Sequence, residues 1–215
     1  MTPKASELIV YQTTELNSTK FTTIAEEQLH LAISNILQHT DWQYSEVWLP
    51  LNFQPSQQST MSSMTSAMTD QMADHTIDDT EVLLELSQIW AADTCQSFLE
   101  LHAWENFWSC SRGFLVNAGE GLPGRAWSTH QWEWISDAST HSEHHFLRNQ
   151  IARAFQVKAG LAVPFTTADH DYGAKSSPEG VALFFMSEGR GQDRWLIQNT
   201  LEILANYQFL TPKLS

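Results

Sequence analysis

The chain has 215 residues, 42% of them hydrophobic, with 25 acidic against 11 basic side chains and a net charge of −14. That balance argues against nucleic acid and anionic membrane surfaces as partners, since both are held by clustered Lys and Arg. No run approaches the about 18 apolar residues of a membrane span, and no signal-peptide core opens the chain. The two cysteines, Cys95 and Cys110, fit no zinc or CxxC pattern, which points to reduced thiols in a cytoplasmic protein. Nine tryptophans need burial somewhere, so the fold must offer large faces or cavities.

Residues 1–18 are polar and aperiodic and read as an N-terminal tail or arm. From Phe21, the recurrence of Ile24, Ala25, Leu29, Ile33, Ile36 and Leu37 predicts a helix, ended by His39-Thr40-Asp41. Trp42 to Pro50 reads as a strand. Residues 51–79 turn polar and Met/Ser/Thr-rich and read as a mobile insertion. Met61, Met64, Met68 and Met72 keep helical spacing there, which suits a packing face better than a partner groove. Val82 to Trp90 alternates as a half-buried strand, Ala91 to Trp108 reads as helix, and Arg112 to Val116 as a short extended piece.

Gly119-Glu-Gly-Leu-Pro-Gly-Arg-Ala-Trp127 packs three glycines and a proline together, which predicts a tight turn. Trp132 to Asp137 follows as a strand, His141 to Phe155 as a helix, and 159–167 and 179–188 as strands. Val181 to Met186 is apolar throughout, the mark of a central strand covered on both faces. The last helix, Asp193 to Leu210, carries two apolar stripes: Ile197, Leu201 and Leu204, and Leu196, Ile203 and Tyr207. The second stripe suits either a partner copy, in a homodimer through the terminal helices, or a wide face within the same chain. Residues 211–215 form a C-terminal tail.

The words Gly-Glu-Gly-Leu-Pro-Gly-Arg-Ala-Trp (119–127), Trp-Ile-Ser-Asp (134–137) and Lys-Ala-Gly-Leu-Ala-Val-Pro-Phe (158–165), in this order, resemble the GAF domain family, especially its cyanobacterial sensor type. The resemblance runs from about Phe21 to Tyr207 and implies a single domain over 19–210. It implies an α+β fold of the GAF/PAS-like kind. A central antiparallel sheet of five or six strands would carry the terminal helices on one face, with short helices and loops closing a pocket on the other. Arg125 and Asp137 flank the same region and are expected to pair or cap.

The residues also exclude members of that family. In bilin-binding GAF domains a Cys-His pair occupies the positions of Leu147 and Arg148, so no thioether to a tetrapyrrole forms here. The cyclic-nucleotide signature NKxxFxxxDE is absent. The sulfoxide-reducing GAF enzymes exchange disulfides among several cysteines, which Cys95 and Cys110 do not match. His141 and His145 stand at ligand-compatible spacing if helical, but solvent-facing histidines are the expectation, with His144 beside them and no metal site.

The expected function is non-enzymatic: a sensory GAF domain in signal transduction, binding a small apolar or aromatic ligand whose identity, like that of any cofactor, stays open. Trp132, Trp134, Asp137, Phe155, Phe165, Phe184 and Met186 are the candidate pocket residues, the aromatic ones and Met186 lining either that pocket or the core. The alternatives are a dimerisation or adaptor module whose pocket is filled by its own aromatic residues, and a non-covalent haem or tetrapyrrole binder.

Overall fold

Alternation of side chains along the central strands divides the interior into two layers. The computed structural model describes residues 9–12, 23–51, 82–92, 98–167 and 177–213. The strands are β1 (Ile9–Gln12), β2 (Tyr44–Pro50), β3 (Leu83–Ala91), β4 (Leu115–Asn117), β5 (Glu133–Ile135), β6 (Gly160–Thr167), β7 (Gly180–Phe185) and β8 (Phe209–Leu210). The helices are α1 (Thr23–His39), α2 (Phe98–Ser111), α3 (Gly121–Thr129), α4 (Asn149–Ala154) and α5 (Arg194–Asn206). The sheet runs β1-β3-β2-β7-β6-β5, with β4 added beside β3 and β8 beside β6. Each pairing is antiparallel. This is the α+β, GAF/PAS-like arrangement expected, with eight strands among the described residues where five or six were expected, because β4 and β8 add to the six of the main path.

On one face Val47, Val163, Phe165, Ala182, Phe184 and Met186 pack under α1 and α5, against Ile33, Ile36, Ile197, Leu201 and Leu204. On the other, Tyr44, Trp48, Leu183 and Phe185 pack under α2, α3 and α4, against Trp104, Phe107, Leu122, Trp127 and Ala152. Period-two alternation keeps the layers separate. A bulge adjusts it once: the β2–β3 register steps from Val47↔Gln88 to Trp48↔Leu86, skipping Ser87. Leu84 and Leu86 therefore share a face with Ile89, while Trp90 turns to the terminal helices.

Several elements differ from their sequence reading. The stretch expected as a tail contributes β1, paired with β3 at the sheet's edge. The glycine-rich segment is a helix, α3, rather than a tight hairpin turn. Glu120 is its N-cap, so Pro123 stands in the first turn, where a missing N–H removes no helical bond. Gly124 is needed for close approach, because a Cβ there would lie 2.1 Å from the Asn117 carbonyl oxygen. α5 ends at Asn206, since Gln208 takes φ 67° and turns the chain into β8.

The expected helix from His141 shrinks to α4. Its carbonyls are taken by side chains: His141 O accepts Asn149 Nδ2 at 2.8 Å and His145 O accepts Arg125 Nη1 at 2.7 Å. Those oxygens would otherwise receive amides one helical turn on.

Both stripes of α5 are used within the chain. Leu196 and Ile203 are buried along with Ile197, Leu201 and Leu204, and Tyr207 Oη accepts Asn35 Nδ2 at 3.1 Å. The second stripe thus carries no argument for a partner copy. Asp193 caps the helix by accepting Leu196 N at 3.0 Å. Among the described residues no helix is long and apolar enough to cross a membrane. The Met-rich stretch from 52 to 79, with its four methionines, and Cys95 lie outside the described residues.

Candidate functional site

The residues expected to line one pocket divide between the two layers. Phe165, Phe184 and Met186 are buried on the terminal-helix side, with Trp132 and Trp134 packed against that same cluster. Trp134 stands 5.6 Å from Trp42, ring to ring, and its Nε1 donates to Arg190 O at 3.1 Å. Phe155 alone joins the other layer, at its margin. Asp137 Oδ1 accepts Ser139 N at 3.0 Å, an Asx turn that shapes the following loop. It does not meet Arg125. Arg125 forks onto Glu133 instead, with Nη2 to Oε1 at 2.6 Å and Nε to Oε2 at 3.1 Å.

A buried charge pair lies in the α2–α4 layer, on residues that the sequence reading did not single out. Alternation along β2 points Tyr44, Glu46 and Trp48 to that face. Glu46 is 0% exposed and Arg148, just before α4, is 3% exposed. Glu46 Oε1 accepts Arg148 Nη1 at 2.7 Å and Tyr44 Oη at 3.2 Å. Glu46 Oε2 accepts Arg148 Nη2 at 2.8 Å and Trp48 Nε1 at 2.9 Å. Each oxygen holds two donors, which saturates the carboxylate. Arg148 Nη1 also donates to Ser111 Oγ at 2.7 Å, and that hydroxyl donates to Phe107 O at 2.6 Å.

Aromatic rings enclose the guanidinium. Arg148 Cζ lies 4.8 Å from the Phe107 ring, 5.2 Å from Trp48, 5.4 Å from Phe146 and 5.9 Å from Phe185. A bidentate fork in so dry a box is strong in geometry, and the rings add cation–π attraction. Burial above all, and then the Glu46 charge, pushes the Tyr44 hydroxyl well above its usual range, with Arg148 pulling the other way. Tyr44 therefore stays neutral and donates. A carboxylate with every acceptor position taken has no lone pair to offer as a general base.

The sequence carries local signals for this site. An acid stands between two aromatic residues on one strand face in Tyr44-Ser-Glu46-Val-Trp48, and Arg148 follows Phe146-Leu147. Both are charges in apolar company, where a partner is required.

Four side chains pin the loop that carries Arg148. Arg125 and Asn149 hold His145 O and His141 O, Arg153 holds Ser139 O, and Arg148 itself reaches the sheet. The His141 and His145 rings lie 4.5 Å apart in this loop without any helix. His144 is exposed, and His141 and His145 are partly exposed. Among the described residues no group of three His, Cys, Asp or Glu side chains is placed to hold a metal.

Desolvation first, then Arg125 and His141, hold His145 below its usual pKa, with Glu133 opposing. The folded state thus binds that proton less readily than the unfolded chain does. Stability from this group is complete above the ordinary value of about 6.5 and is lost as pH falls through the lower folded value. His145→Gln should flatten the fall in Tm between about pH 7.5 and 5.5 relative to the unsubstituted chain. Parallel Tm–pH curves for the two would contradict this.

No family model and no curated protein matches the sequence. Among solved structures the chain is similar in shape to the GAF domain of a two-component sensor histidine kinase from Bacillus halodurans, with TM-score 0.48 and 13% identity over 85% of this chain and 92% of that one. It is also similar to the Staphylococcus aureus NreA protein mutated in its nitrate binding site, with TM-score 0.47 and 15% identity over 83% of this chain and 96% of that one. A third is the free methionine-R-sulfoxide reductase from Neisseria meningitidis in complex with its substrate, with TM-score 0.40 and 10% identity over 92% of this chain and 93% of that one. Likeness at this level carries no activity across to this chain.

Proposed function

We propose that the chain is a non-enzymatic sensory or regulatory domain of the GAF type, binding a small molecule on the face covered by α2, α3 and α4. One observation carries the reading: a desolvated Glu46–Arg148 pair in a box of aromatic rings. Well-packed apolar side chains could fill the same volume at no loss of stability, so a charge pair kept there points to recognition. The saturated carboxylate favours binding over catalysis, and Cys110 is an exposed free thiol rather than part of the box. The ligand is apolar or aromatic in its body, to suit the ring-lined surroundings. Signalling would require it to favour one arrangement of the domain over another.

The second reading is a structural or adaptor module whose interior is filled by its own side chains. It is favoured by the near-complete burial of Tyr44, Glu46, Trp48, Ser111 and Arg148.

Native mass and absorbance of protein purified from its own host, followed by a thermal-shift panel of small aromatic and aliphatic molecules, separates the two. A retained mass or a saturable rise in Tm is expected. Colourless protein with no retained mass and no response to the panel would sink the sensory reading in favour of the adaptor. A Soret band would replace it with haem binding, and a two-copy mass would establish the homodimer.

A further inference from the structure

The donors around Glu46 form a set that is complete without the rest of the residue. Two guanidinium N–H groups, a phenol and an indole converge on two oxygens, two donors to each. The set recognises a carboxylate as such, and the glutamate stem only delivers it from β2. Ser111 Oγ also accepts from Arg148 Nη1, so the fork is oriented by more than its occupant. The register irregularity beside the seat, at Val47/Trp48, lies where bulges commonly re-aim a side chain.

We propose that Glu46 is the tethered occupant of a carboxylate-binding seat formed by Arg148, Tyr44 and Trp48, so that this face of the domain is liganded by its own chain. The ligand class the seat accepts is a small carboxylate, entering by its acid group. This rests on the reading of the α2–α4 face as the ligand face, and it names the polar handle that a ligand there would offer. A tethered occupant has the high effective concentration of an intramolecular group, so a free acid without further contacts does not displace it.

Truncation makes the seat testable. Glu46→Ala removes the Cγ methylene and the carboxylate, a fragment with the heavy atoms of acetate. The probe is therefore sodium acetate, compared with formate, propionate, isobutyrate and chloride at constant ionic strength. In Glu46→Ala, acetate should raise Tm saturably, by about 3–5 °C at a tenfold excess over half-saturation. Isobutyrate and chloride should do nothing, and the unsubstituted chain should not respond to acetate. Should Glu46→Ala fail to fold in chloride, refolding in acetate is the measurement, and recovery there supports the seat.

The double variant Glu46→Ala/Arg148→Met removes the fork as well and should be blind to acetate. An equal response in the double variant would overturn the proposal, as would a single variant that folds and ignores acetate, or one that stays unfolded in both salts. None of these outcomes touches the sensory reading, which stands or falls on the response of the unsubstituted chain to the ligand panel.

Discussion

Arg148→Met should cost about 3–5 kcal/mol, read as a lower denaturant midpoint at unchanged slope. Methionine fills much of the stem volume, so the loss is mainly electrostatic. It leaves Glu46, 0% exposed, with Tyr44 and Trp48 as its remaining donors and no opposite charge. A buried carboxylate in that position must either stay ionised without a partner or take up a proton, and both outcomes weaken the fold near neutral pH. The companion variant Glu46→Leu/Arg148→Met should recover most of the loss, because an apolar pair of similar volume carries no desolvation cost. Arg148→Lys keeps the charge but not the two-pronged fork and should fall between them. A single variant within about 1 kcal/mol of the unsubstituted chain would mean that water reaches Glu46 and that the pair is an ordinary surface one.

The parts of the fold legible in the sequence are those where local pattern and burial agree. β7 is apolar at every position because both its faces are covered, and α1 shows its period because one face meets the sheet. α3 was hidden because glycine and proline signal turns on average, whereas a proline in the first helical turn is neutral. The loop before α4 was hidden for a different reason. Its sequence suits a helix, but Arg125, Asn149 and Arg153 compete for its carbonyls, and Arg125 does so from 20 residues away.

The site was the least legible of all. Glu46 and Arg148 are 102 positions apart, and neither residue announces the other. Residue type alone marks an aromatic side chain as a pocket candidate and cannot say on which side of a strand its ring stands. Phe184 and Phe185 are neighbours in sequence and lie in opposite layers.

That neighbour supplies the second large effect. Phe185→Ala should lose about 3–5 kcal/mol, the range for emptying a buried phenylalanine. Its ring meets Phe107 at 5.8 Å and Phe146 at 6.0 Å, both edge to face, and forms one wall of the Arg148 box. The ring has its place because the residue opposite in the register is Gly160. A Cβ on Gly160 would lie 2.6 Å from Phe185 Cδ1, so Gly160→Ala should cost about 1–3 kcal/mol by overpacking. The two changes touch the same space, so they should not add. In the double variant the ring is gone and the new methyl occupies part of the void, which should make the loss smaller than the sum by about 1 kcal/mol. Some cost at Gly160 survives, since the Phe184 carbonyl oxygen would stand 3.1 Å from the same Cβ. Strict additivity in a denaturant cycle would show that Gly160 yields to the backbone rather than to the ring. The wall around the guanidinium would then be set by β7 alone, without the glycine on β6.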